Sequence, residues 1–107
     1  MEHVRTQSAQ SEAAIERWLG NRLRLLGCLY LKFVSPGNTG VPDRIIILPR
    51  GRIIFAELKT ADGKLSPIQT FRINRLQAMG CDVRIVYGQT GATALLAAIK
   101  EELNVEV

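Results

Sequence analysis

The sequence predicts an α/β fold in which one mixed β-sheet is flanked by helices. A chain of 107 residues is just long enough to bury one hydrophobic core. Its hydrophobic fraction of 47% is typical of a folded protein. Helical and strand periodicities follow one another in the order αβββαβα, which favours a single sheet covered by helices. We expect one domain over residues 11–107, preceded by a disordered polar tail at residues 1–10.

The first helix is predicted to begin after Ser11 and to run to about Leu26. A serine is a favoured N-cap, and Gly27 supplies the left-handed residue that ends many helices. Apolar residues recur at helical spacing along this segment, at Ile15, Trp18, Leu19, Leu23 and Leu26.

Three strands are predicted next. Residues 29–34 are β-rich, and residues 35–40 are turn formers that predict a loop. Residues 43–48 and 52–59 form a hairpin around Pro-Arg-Gly at 49–51, with the glycine in the left-handed position.

A second helix is predicted to open at Ser-Pro, residues 66–67, which is the usual order of cap and first helical residue. Its expected apolar face consists of Ile68, Phe71, Leu76 and Met79. Residues 82–87 predict a fourth strand. A last helix is predicted to start at Thr90 or Thr93 and to end near Leu103.

The charge is concentrated in the middle of the chain. Residues 17–84 carry 12 Lys and Arg against four Asp and Glu, whereas residues 1–16 and 85–107 each have a net charge of −2. Ten of the 14 basic residues are arginine, which matches phosphate oxygens well. The pattern is compatible with a nucleic-acid partner or simply with a mildly basic domain.

The sequence also excludes several classes of protein. No apolar run approaches the 18 residues that a membrane span needs, and the first residues resemble no secretory signal. Cys28 and Cys81 are far apart and lack metal-ligand spacing, so we expect two free thiols in a reducing cytoplasm.

The predicted hairpin brings two acids together. If Arg50 is the centre of the turn, residues whose numbers sum to 100 lie opposite each other, and Asp43 faces Glu57. Directly opposed Cβ atoms are about 5 Å apart, so the two carboxylates repel unless a cation lies between them. Oxygen ligands suit Mg²⁺ or Mn²⁺. Strand alternation brings Lys59 to the same face.

One metal, two acids and one lysine form a minimal site for cleaving a phosphodiester. The metal polarises a phosphoryl oxygen and lowers the pKa of bound water, while the ammonium orients that water or stabilises the developing negative charge. Single acids in these positions are ordinary strand-end residues, so the prediction depends on their combination.

Several segments match a known family: residues 32–37, the string Gly-Val-Pro-Asp-Arg at 40–44, residues 55–60 and Gln69. Together they resemble the virus-type replication-repair nuclease (VRR-NUC) family of the PD-(D/E)xK nuclease superfamily, over about residues 11–87. The resemblance implies a restriction-endonuclease-like αβββαβ core and Mg²⁺- or Mn²⁺-dependent cleavage of DNA.

The resemblance also implies residue roles. Asp43 and Glu57 would be metal ligands, assisted by the backbone carbonyl of Leu58; Lys59 would be the catalytic lysine, and Gln69 matches the family's glutamine. Family members carry a further glutamate on the first helix. Glu12 and Glu16 share one helical face, and we favour Glu16 while Glu12 remains the alternative.

The candidate DNA-contacting residues are Lys32, Arg44, Arg17, Arg22 and Arg72. Small members of the family resemble homodimers that act on four-way (Holliday) junctions, so we expect a homodimer and branched DNA. The apolar run 94–99 could lie at the dimer interface or cover its own sheet. A bacterial or phage-infected cytoplasm is the expected location. The alternatives are a non-catalytic DNA-binding module and an accessory subunit of a replication or repair complex.

Overall fold

A computed structural model describes residues 11–104, and the predicted tail at residues 1–10 lies outside the described residues. The helices are α1 (Glu12–Leu25), α2 (Pro67–Ala78) and α3 (Gly88–Glu102), and the strands are β1 (Leu29–Lys32), β2 (Arg44–Ile47), β3 (Ile53–Lys59) and β4 (Asp82–Tyr87). The predicted order αβββαβα is confirmed. No helix in this part of the chain is long and apolar enough to cross a bilayer.

The sheet is mixed and has the order β1-β2-β3-β4. The first three strands pair antiparallel, and β4 lies parallel to β3 after the crossover through α2. Paired residues point to the same side, so rows of side chains cross the sheet. We call the side covered by α1 and α3 the core face, and the opposite side, where α2 packs, the outer face.

The core lies between the core face and the helices α1 and α3. Its largest fully buried side chains include Leu19 and Leu23 of α1, Ile46 and Ile54 of the sheet, and Ile99 of α3. Burying such a side chain stabilises the fold by about 1.5–3 kcal/mol. The helical spacing of the apolar residues in α1 therefore fixes which side of that helix meets the sheet.

The last helix covers its own sheet. Leu95 and Leu96, within the apolar run, are buried in the core with Ile99, whereas Ala97 is exposed. The helix begins at Gly88, earlier than predicted, because the chain turns straight out of β4. Gly88 makes that turn with φ +62°, and a Cβ there would come within 3.0 Å of Ala61.

The β2–β3 hairpin has the predicted register. Its pairs run from Arg44 with Ala56 to Ile47 with Ile53, so paired numbers sum to 100. One detail of the turn differs from the prediction. Arg50 has a positive φ of 80°, and the glycine that follows it also has a positive φ. A Pro-Arg turn with a left-handed second residue accounts for this difference.

The prediction for the apolar face of α2 was wrong for three of its four residues, and Leu76 is half-buried. Ile73 is the buried residue of this helix, while Ile68, Phe71 and Met79 are 39%, 51% and 79% exposed. Gln69 and Ile73 are one turn apart and both turn toward the sheet, where Gln69 contacts a polar group. Apolar spacing alone could not show that the inward face of this helix is partly polar.

The first strand was predicted two residues too long. β1 ends at Lys32, although the backbone N–H of Phe33 still donates to the carbonyl of Asp43 at 2.9 Å. The ladder therefore continues by one bond beyond the regular strand. This extra bond holds the start of β2 beside β1, where the first candidate acid lies.

Candidate active site

The two candidate carboxylates lie at one end of the outer face. Asp43 directly precedes β2, and Glu57 belongs to β3. Extending the hairpin register by one residue brings them opposite each other, in the same row as Phe33. Phe33 and Phe55 pack with their ring centroids 5.6 Å apart, which forms an apolar floor beside the acids.

Burial and mutual repulsion perturb both carboxyl groups. Glu57 is only 4% exposed, and burial together with the charge of Asp43 raises its pKa to about 7. Burial likewise raises the pKa of Asp43, and the charges of Glu16 and Glu12 add to the shift. The backbone N–H of Leu58 opposes it by donating to Asp43 Oδ1 at 3.4 Å. The negative charge of the two carboxylates is therefore only partly balanced by the cations and hydrogen-bond donors near them.

Lys59 provides the nearest cation. Its Nζ lies 3.7 Å from Glu57 Oε2, and both side chains are largely buried. The alternation of β3 brings the lysine and the glutamate to the same face, as the Glu-x-Lys spacing predicts. An ammonium in this position attracts anions such as a phosphodiester, as well as balancing a carboxylate.

Gln69 links the site to the start of α2. Its Nε2 donates to Glu57 Oε2 at 3.0 Å, while its Oε1 accepts from the backbone N–H of Ser66 at 2.9 Å. The Ser66 hydroxyl in turn accepts from the Gln69 backbone N–H at 3.2 Å. This capping box fixes the amide so that its NH₂ group points at the glutamate.

The loop before Asp43 packs directly against α2, a contact that was not predicted from the sequence. Gly40 has φ +92°, and a Cβ there would come within 2.9 Å of the Ile68 backbone. Arg72 Nε donates to the Thr39 carbonyl at 2.9 Å. The glycine of the Gly-Val-Pro-Asp string was the available signal, since close backbone approach often needs glycine.

The two helix glutamates differ in their surroundings. Glu16 accepts a charge-assisted hydrogen bond from Arg44 Nε at 2.6 Å. Glu12 is exposed, and its charge raises the pKa of both Asp43 and Glu57. The N-terminal turns of α1 thus lie close enough to the carboxylate pair for either glutamate to influence it.

The candidate DNA-contacting residues do not form one cluster with the acids. Lys32 pairs with Arg44 in the sheet, and that row points to the core face. Arg44 is engaged by Glu16 and lies over the Tyr30 ring, and the Arg22 guanidinium lies 5.4 Å from the centroid of the Trp18 ring. Arg17 is exposed on α1, and Arg72 belongs to α2 beside the pinned loop.

The oxygen-rich donor set fits a hard divalent cation. Within residues 11–104 no three His, Cys, Asp or Glu side chains are arranged as a complete metal cluster. The pair Asp43 and Glu57 nevertheless supplies two adjacent carboxylates, one of them buried, that a cation of this kind would neutralise. A complete coordination shell needs further oxygen donors, such as a backbone carbonyl, the α1 glutamates or water.

Comparison with known proteins identifies the family of this chain. No family model matches the chain. A protein named "Putative nuclease p44", from Acyrthosiphon pisum secondary endosymbiont phage 1, is 42% identical over 88 residues, which cover 82% of this chain and 94% of that protein.

Two solved structures share the fold. One is a "VRR_NUC domain" with a TM-score of 0.76 and 31% identity, and the match covers 80% of this chain and 94% of the other. A "VRR_NUC domain protein" with a TM-score of 0.69 and 17% identity covers 87% and 90% and supports the fold alone. The chain belongs to the VRR-NUC family of nucleases.

Proposed function

We propose that this nuclease is a metal-dependent DNA endonuclease that hydrolyses phosphodiester bonds. The observation that carries the proposal is the opposed pair Asp43 and Glu57 with Lys59 beside it. Asp43, Glu57 and the Leu58 carbonyl would hold Mg²⁺ or Mn²⁺. When bound, the cation would polarise a phosphoryl oxygen and lower the pKa of its water ligand.

The protein's own groups perform the remaining tasks. Lys59 orients the attacking water and stabilises the negative charge that develops on the phosphate. Gln69 holds the Glu57 carboxylate in one orientation through the capping box of α2. Precise placement of this kind lowers the barrier because the reacting groups need little reorganisation.

We assign the additional helix ligand to Glu12 in preference to Glu16. Glu16 is engaged by Arg44 at 2.6 Å, so it would have to break a charge-assisted hydrogen bond to reach the metal. Glu12 is exposed at the first turn of α1, and its charge raises the pKa of both acids of the pair, although the charge of Glu16 has the larger effect on Asp43. Glu16 then acts as the partner that holds Arg44.

The substrate of this proposal is branched DNA, cut by a homodimer. Two active sites related by a two-fold axis are what symmetric cutting of a four-way junction needs. The outer face offers an uncharged apolar area for a second copy, since Leu29, Leu31 and Ile53 are 55%, 44% and 46% exposed there. Because α3 covers its own sheet, we place the interface on the outer face and not on that helix. Such DNA would be met in a bacterial or phage-infected cytoplasm.

Cleavage of labelled duplex, splayed and four-way DNAs with Mg²⁺, Mn²⁺ or EDTA tests the proposal. We expect metal-dependent cutting that Asp43→Ala and Lys59→Ala both abolish, while DNA binding persists. Met79→Ala, at an exposed residue remote from the acids, is the control and should cut normally. Cutting that survives both substitutions would refute this site. Binding without any cutting would instead indicate a DNA-binding module or an accessory subunit.

A further inference from the structure

The outward side of α2 carries an exposed aromatic residue. Phe71 is 51% exposed and Ile68, one helical turn away, is 39% exposed. The Arg72 guanidinium lies over the Phe71 ring, 5.4 Å from its centroid. This arrangement restrains one face of the ring in a cation–π contact and leaves the other face available.

This surface is linked to the carboxylate pair through Arg72 and the loop before Asp43. Phe71 lies two residues after Gln69, which is about 3 Å along the helix axis and roughly 200° around it, so Phe71 points away from the sheet while Gln69 contacts Glu57. The Arg72 side chain also reaches the Thr39 carbonyl in the loop that leads to Asp43. A DNA arm that leaves the site across α2 would therefore meet the ring.

The charge of α2 favours a polyanion over a protein partner. The helix contains Arg72 and Arg75 and no acidic residue. Arg75 lies one turn after Phe71, so a second cation is present on the same side of the helix as Arg72. An apolar ring beside two arginines offers stacking together with phosphate contacts, which is how proteins bind single-stranded nucleic acid.

We propose that Phe71 is a stacking platform for an unpaired base of the DNA substrate, and this inference rests on the proposed nuclease function. A base inside a duplex has both faces covered by its neighbours, whereas an unpaired base at a branch presents a free face. Arg72 restrains the ring, and Arg75 contacts the adjacent phosphate. The platform thereby favours branched DNA over continuous duplex without reading its sequence.

The test compares binding and cleavage of a splayed-arm DNA and a matched continuous duplex. The splayed DNA carries 2-aminopurine at its first unpaired position, whose fluorescence falls when it stacks. We expect Phe71→Ala and Phe71→Leu to weaken splayed-arm binding about ten-fold and to remove the quenching, with duplex binding changed by less than about two-fold. Phe71→Trp retains both properties because it keeps a ring, and the control Met79→Ala leaves both unchanged.

Two results would overturn the inference. If Phe71→Leu binds like the parent, the contact is apolar and no stacking occurs. If Phe71→Ala dissociates a dimer, as measured by light scattering, the ring belongs to a protein interface. Failure of the proposed nuclease function would be distinguishable from failure of this inference. In that case the parent chain would cut none of the DNAs, while the binding and quenching measurements would still test whether Phe71 stacks on a base.

Discussion

Replacing Glu57 with glutamine should stabilise the metal-free protein at alkaline pH. The side chain is 4% exposed, and burial with the nearby Asp43 charge raises its pKa from 4.5 to about 7. The folded state therefore binds its proton more tightly than the unfolded chain does. The stability associated with that proton is complete below pH 4.5 and is lost as pH rises through 7.

The size of the effect follows from this shift. One pKa unit corresponds to about 1.4 kcal/mol, so the ionised carboxylate lowers the free energy of unfolding by about 3 kcal/mol at pH 8.5. Glu57→Gln removes the charge and keeps the shape, and Gln69 can still bond to the new amide. We expect the variant to be about 3 kcal/mol more stable than the parent at pH 8.5. At pH 4.5 the two proteins should differ by less than about 0.5 kcal/mol.

Urea denaturation in EDTA at the two pH values measures this difference. Glu101→Gln removes an exposed carboxylate and should change stability little at either pH. Adding Mg²⁺ at pH 8.5 should stabilise the parent and leave Glu57→Gln unchanged, because a ligand that binds only the folded state raises its stability. A variant that is less stable than the parent at pH 8.5, or a difference independent of pH, would show that the buried Glu57 charge does not destabilise the fold.

Three further predictions concern other parts of the chain. Gln69→Glu keeps an acceptor for the Ser66 N–H but adds a negative charge beside the buried pair, so cleavage should fall while α2 stays capped. Ser66→Ala loses the hydroxyl cap, which should cost about 1 kcal/mol, but it keeps the backbone N–H that holds the Gln69 side chain, so cleavage should be retained; a loss of cleavage in both variants would show that the effect comes from the helix start and not from the charge. Tyr30→Phe should raise the free energy of unfolding, measured in urea, by about 1 kcal/mol, because the tyrosine hydroxyl is buried without a partner among the described residues. Destabilisation by this substitution would instead indicate that the hydroxyl binds a buried water. The hydrogen bond from Arg84 lowers the pKa of Asp82, so this ion pair stabilises the fold above about pH 4, and the stabilisation is lost as pH falls further. Asp82→Asn should therefore make the thermal midpoint less sensitive to acid, and an unchanged dependence on acid pH would contradict this role of the ion pair.

Much of the fold could be predicted because its signals are local. The Ser-Pro start of α2 and the turn at residues 49–51 follow from cap and turn chemistry, and the turn fixed the register opposite Glu57. The predictions of a nuclease of the VRR-NUC family and of its mixed sheet are confirmed.

What the sequence could not supply depends on contacts between distant residues. The pinning of Gly40 on α2 and the pairing of Glu16 with Arg44 join segments 28 residues apart, and no periodicity reports such contacts. The inward face of α2 was misread because the polar Gln69 replaces an apolar residue where the helix meets Glu57. Tertiary context decided each of these points.

Adjacent strands hold two acids, Asp43 and Glu57, whose charges a divalent cation would neutralise. Titrating the chain with Mn²⁺, followed by the electron paramagnetic resonance of the free ion, measures this directly. We expect saturable binding by the parent that Asp43→Asn abolishes while the fold is retained. Equal binding by both proteins, or none by the parent, would show that this carboxylate pair does not hold the cation.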